Sequence, residues 1–159
     1  MGVASHVGGI SSSKIFASSL QHLAVQYFIN DKEKVMKIKT LMVINAVITV
    51  VFGLAFVFMP ERLLLMYGNP VDAPMLYLGQ LFGATHIMIA VLMWSARNVA
   101  DSEARKAIVL AVFIGYAIAF IVALIAQFNG VVNALGWLTV AIYFFFSLGF
   151  GYFHFKKYS

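Results

Sequence analysis

The sequence predicts an all-α membrane protein, a four-transmembrane-helix up-down bundle with an amphipathic N-terminal helix. Three observations predict it. The chain is 62% hydrophobic and 11% charged, with a mean hydropathy of +0.92, whereas soluble domains are about half apolar and a quarter charged. Apolar runs lie at about 41–59, 75–94, 107–127 and 135–155. At about 1.5 Å per residue, runs of this length cover the roughly 30 Å hydrocarbon core of a bilayer. Finally, the basic residues alternate between the connecting segments. Lys14, Lys32, Lys34, Lys37 and Lys39 precede the first run, Arg97, Arg105 and Lys106 follow the second, and Lys156 and Lys157 follow the fourth. The first loop holds only Arg62 and the third holds none. The positive-inside rule then puts both termini in the cytoplasm, in a bacterial or archaeal inner membrane.

Residues 1–35 read as an N-terminal extension and 36–159 as the transmembrane domain, because Met36-Lys-Ile-Lys would itself make a natural start. Within the extension, Phe16, Leu20, Leu23, Tyr27 and Phe28 fall on one helical face, with Ser18, His22, Gln26 and Asn30 opposite. That pattern predicts a surface-lying amphipathic helix. Asn30 or Asp31 is expected to cap a new helix running into the first span, where Asn45, Thr49 and Gly53 recur every four residues as a small, polar seam. Pro60 ends that span and opens a short helix stopped by Gly68. Asp72 and Pro74 open the second span, in which Gly79, Gly83, His86 and Ala90 share a narrow face beside Gln80.

Asp101 or Ser102 is the expected N-cap of the third span. There Ala107, Ala111, Gly115, Ala119 and Ala123 put a small residue at every fourth position, so this helix is expected to be the packing spine of the bundle. Asn129-Gly130 stops it, Asn133 caps the fourth span, and Thr139, Tyr143 and Ser147 lie in register along that span. Trp94, Trp137, Tyr77 and Tyr152 sit near span ends, where aromatic anchors belong.

The net charge of +5 sits beside apolar runs, so it points to orientation and lipid headgroups and not to nucleic acid. With no cysteine, disulfides, thiol redox chemistry and Cys-ligated metals are excluded. No nucleophile–base pair, phosphate loop or metal-ligand spacing is present, so neither a catalytic residue nor a metal site is assigned. His86 is the one side chain near the middle of a span that titrates near neutral pH. It is either a neutral imidazole bonded to a carbonyl or to Asn45, Thr49 or Tyr143, an axial ligand of a haem or chlorophyll-type pigment, or a proton relay. His154 lies about 12 Å deeper along the bundle, so the two histidines do not pair within one chain. Asn45, Gln80, Tyr116, Gln127 and Tyr143 are scattered over several helices. They are expected to form interhelical hydrogen bonds, worth about 0.6 kcal/mol each.

The order FVFMPERLLLMYG, LGQLFGATHIMIAVLMWSAR, DSEARKAIVLA, NALGWLTVAIY resembles that of small four-helix bacterial membrane proteins of uncharacterised function, loosely the DoxX-like group, over residues 41–155. The resemblance implies a membrane bundle without a specified activity. Gln80 departs from it, standing where such proteins often carry a basic residue. The function expected is a non-catalytic accessory or assembly subunit of a larger membrane complex, with other membrane subunits as partners. Two alternatives stand beside it: a small carrier or binding protein for a lipophilic molecule (quinone, haem or chlorophyll-type pigment), or a small membrane enzyme of lipid or quinone metabolism.

Overall fold

Long apolar runs broken only at Pro60, Gly68, the 97–102 segment and Gly130 leave the backbone one way to satisfy its hydrogen bonds, which is helix. The structure is a computed structural model that describes residues 12–100 and 102–156. Its helices are α1 (Ser12–Phe58), α2 (Pro60–Met66), α3 (Ala73–Ala96), α4 (Glu103–Phe128) and α5 (Gly136–Lys156), with no strand among the described residues. Lys37–Phe58 and the whole of α3, α4 and α5 are long and apolar enough to cross a membrane.

The chain divides into two compact units, Met1–Lys37 and Ile38–Ser159. In the first, residues 16–30 of α1 are exposed on every side. The expected cap at Asn30 or Asp31 does not form, because the helix continues through both residues. Neither residue breaks a helix on its own, and the following segment is rich in good helix formers. One of them, Glu33, pairs with Lys37 at 2.6 Å, four residues on. That ammonium holds the Glu33 carboxyl below the usual carboxylate range.

In the second unit the boundaries follow from local chemistry. Pro60 occupies the first turn of α2, and Gly68 takes the left-handed conformation (φ +79°) that reverses the chain after it. The Asp72 carboxylate accepts from the Met75 amide at 2.7 Å and caps α3. Ser102 caps α4 through the Arg105 amide, and Asp101 lies outside the described residues. Gly130, at φ +66°, ends α4.

α4 and α5 run antiparallel, as their ring pairs show. Phe113 meets Phe155 at one end, Tyr116 stacks on Phe150 and Phe146 in the middle, Phe120 meets Phe144, and Phe128 meets Trp137 at the other end. α1 and α3 are also antiparallel and touch through glycine. A Cβ on Gly83 would lie 2.8 Å from the Gly53 carbonyl oxygen and 2.9 Å from the Phe56 Cβ. One half of the bundle is solid, filled by Ile38, Met42 and Ala46, by Met93 and Ala96, and by Val109, Val112, Phe146 and Phe150. In the other half, no residue of α4 beyond Tyr116 is buried.

The small-residue row of α4 is not a seam within this chain. Ala107, Ala111 and Gly115 are exposed, Ala119 and Ala123 only partly covered, and a Cβ on Gly115 would meet nothing within 4 Å. The buried stripe is Arg105, Val109, Val112 and Tyr116, because the larger side chains fill the interior and the small ones are left outside. Likewise the run Phe144-Phe145-Phe146 splits: Phe145 is exposed and Phe146 is core. Gly83→Leu should therefore destabilise the protein by about 1–3 kcal/mol, read as a lower thermal midpoint in detergent. Gly115→Leu should leave the midpoint of the isolated chain unchanged.

Candidate binding cavity

The hollow half of the bundle contains a cavity of about 180 Å³. Its walls are Ile48, Thr49, Phe52 and Phe56 of α1, Phe82 and His86 of α3, Tyr116 of α4, and Thr139, Ile142, Tyr143 and Phe146 of α5. Leu64, Tyr67 and Asn69, from α2 and the turn after it, close one end. That end is tied down by the loop before α5. The Asn133 side-chain amide donates to the Met66 carbonyl at 2.8 Å, its backbone amide donates to the Tyr67 carbonyl at 3.0 Å, and the Tyr67 hydroxyl lies 2.7 Å from Thr139 Oγ1. The cavity is not fully enclosed, and Phe82 on its wall is 42% exposed.

At the inner end lies a polar pair. The Asn45 side-chain amide, 0% exposed, donates to the Tyr116 hydroxyl at 2.5 Å and joins α1 to α4. One turn further along α1, the Thr49 hydroxyl donates to the Asn45 carbonyl at 2.8 Å. His86 Nδ1 is 2.9 Å from the Phe82 carbonyl oxygen, four residues back on its own helix. A carbonyl oxygen only accepts, so Nδ1 carries the proton and Nε2 keeps the lone pair.

Of the residues singled out from sequence, Gly79 and Gly83 are buried, Gly83 against α1. His86 lines the cavity, bonded to a carbonyl of its own helix rather than to Asn45, Thr49 or Tyr143. Tyr116 and Tyr143 converge on the cavity with Thr49 and Thr139. Gln80 is exposed and lines nothing there, and Gln127 turns to the α4–α5 loop, donating to the Asn133 carbonyl at 3.3 Å. His154 lies in the last turn of α5 and is not among the lining residues. Tyr67, Asn69 and the α1 phenylalanines are additions that the sequence did not signal. They reach the site through the α2 hairpin and through helix rotation, which no i, i+4 pattern reports.

The lining holds no Asp, Glu, Lys or Arg. Among the described residues no group of three or more His, Asp or Glu could hold a metal ion. A 150 Å³ apolar cavity takes up benzene, and drug-sized ligands fill sites of about 300–1,000 Å³. At about 180 Å³ this cavity fits one substituted ring and does not fit a haem or chlorophyll-type macrocycle.

A family model described as "Domain of unknown function (DUF8292)" matches residues 5–154. The chain belongs to the DUF8292 family. No curated protein and no solved structure matches it. Membership in the family adds no chemistry to the site, so the reading of the cavity stands on its own residues. Tyr116→Phe should cost about 1–3 kcal/mol of stability, because it leaves the buried Asn45 amide without an acceptor. Unfolding of the detergent-solubilised chain measures it.

Proposed function

We propose that this protein is integral to a membrane and binds a small lipophilic molecule in the cavity between its helices. The cavity itself is the observation that carries this reading. It is walled mainly by aromatic and aliphatic side chains, with a few polar groups converging on it, which is the composition of small-molecule sites. The membrane setting is supported by the outward faces, where Val51, Leu78, Ile118, Val122 and Phe145 are exposed apolar residues on four different helices. Water would not tolerate so continuous an apolar surface.

Cytoplasmic termini are the orientation that the charges favour. Arg97, Arg105 and Lys106 flank the α3–α4 turn, and Lys156 ends α5 at the same end of the antiparallel bundle. There Arg97 lies 3.7 Å over the Trp94 ring and Lys156 4.8 Å over the Tyr152 ring, pairings suited to a headgroup layer. A fluorescent protein fused after Ser159 should fluoresce in the cytoplasm, and an alkaline phosphatase fused there should stay inactive. The opposite pattern overturns the orientation.

Ligand binding is tested by filling the cavity. Protein purified in mild detergent and extracted with organic solvent should release a lipophilic compound, identified by mass spectrometry, in stoichiometric amount. Ile142→Trp, which adds an indole at the cavity wall, should purify without it while keeping its helical circular dichroism. Equal retention by both proteins would exclude the cavity as the binding site. A second reading, an accessory subunit of a larger complex, is favoured by the outward-facing Ala107, Ala111 and Gly115, a row that admits a close partner helix. Migration of the native protein in mild detergent with larger partners would support it.

A further inference from the structure

Resting on the cavity reading above, we propose that the occupant is an uncharged hydroxyaromatic head, a phenol or hydroquinone ring on a lipophilic tail, whose hydroxyl donates to His86 and accepts from Tyr143. The argument is one of elimination among polar groups. Thr49 spends its proton on the Asn45 carbonyl, Tyr67 and Thr139 are bonded to each other, and Tyr116 accepts from Asn45 while keeping its own proton to donate. The lining groups left without a hydrogen-bond partner among the described residues are His86 Nε2, which accepts because Nδ1 is committed to the Phe82 carbonyl, the Tyr143 hydroxyl and, in the turn that closes one end, the Asn69 side chain. Asn69 belongs to the closed end, and the proposed occupant lies between His86 and Tyr143. A cavity occupant therefore gains most by presenting one donor and one acceptor. An aromatic hydroxyl supplies both at a single atom.

The rest of the wall selects the ring and excludes charge. Phe52, Phe56, Phe82 and Phe146 line the same space, and aromatic faces favour an aromatic guest in stacked or edge-on contact. With no Asp, Glu, Lys or Arg on the wall and His86 neutral, a phosphate, carboxylate or ammonium head would be buried without a counter-charge, at a large cost. A ring bearing only carbonyl or ether oxygens accepts from Tyr143 but has nothing to donate to His86. The size agrees, at one substituted ring inside and a tail leaving past the exposed Phe82.

The experiment uses the full chain in detergent and three probes: 4-decylphenol, its methyl ether and decanoate, measured by equilibrium dialysis. The phenol should bind about fivefold tighter than the ether, the worth of one ordinary net hydrogen bond, that to His86, and decanoate should not compete. In His86→Leu the preference for phenol over ether should shrink to about twofold or less. Tyr143→Phe, which removes only a hydroxyl, should weaken the phenol several-fold, and it tests the proposal even if the His86 variant does not fold. Phenol and ether binding alike would overturn the proposal and leave the cavity reading intact, as would decanoate competing as well as the phenol. A preference unchanged in His86→Leu would overturn the role of His86, and phenol binding unchanged in Tyr143→Phe would overturn that of Tyr143. Failure of phenol and ether to bind at all, or undiminished binding of both to Ile142→Trp, would overturn the cavity reading itself.

Discussion

The hydrogen bond from Asn45 to Tyr116 is the interaction on which the arrangement of the second unit turns. Both residues are buried among apolar side chains, so each is costly without the other. Their pairing fixes the rotation of α1 and α4 together. With Asn45 inward, Met42 and Ala46 point into the core on either side of it, and Thr49 follows one turn later. With Tyr116 inward, Val109 and Val112 join the same interior, and the small residues of α4 are forced to the outside. The pair also marks a border, because the solid core lies on one side of it and the cavity on the other.

A cavity of this size tends to collapse unless its walls are held apart. Here they are held at both ends. On one wall Gly53 and Gly83 set the approach of α1 and α3 at backbone contact, so neither helix has further to move. At the closed end, Asn133 and the Tyr67–Thr139 pair tie the α2 hairpin to the start of α5. Tyr116, anchored by Asn45 and stacked on Phe146, supplies the floor. The space between is what these fixed distances leave, and its aromatic lining is too stiff to fill it by changing rotamer.

Much of this was legible in the sequence. Apolar length and breaker residues gave the helices, and the pairs Asn45–Thr49 and Gly79–Gly83 announced surfaces that turned out to be buried. Spacing alone misled on α4. A row of alanines and glycine signals that another helix could approach, and the packing volume of Val109, Val112 and Tyr116 decided that the opposite face is the one used in this chain. The cap expected at Asn30 or Asp31 failed for a related reason, since capping residues stop a helix only where the chain beyond them does not continue it. The candidate site was half visible. His86, Tyr116 and Tyr143 stood out as polar groups in apolar runs, but their convergence depends on helix rotations and on the α2 hairpin, which are tertiary facts.

The lining of the cavity carries no formal charge from end to end. In the proposed membrane setting this bears on energetics as well as on recognition. Moving one elementary charge through a membrane potential involves about 2.3 kcal/mol per 100 mV. An uncharged molecule entering an uncharged site does no such work. Occupancy would then be set by the concentration of the molecule in the lipid and not by the energised state of the membrane. On the proposed reading, such a protein would hold its ligand equally well whether the cell is polarised or at rest.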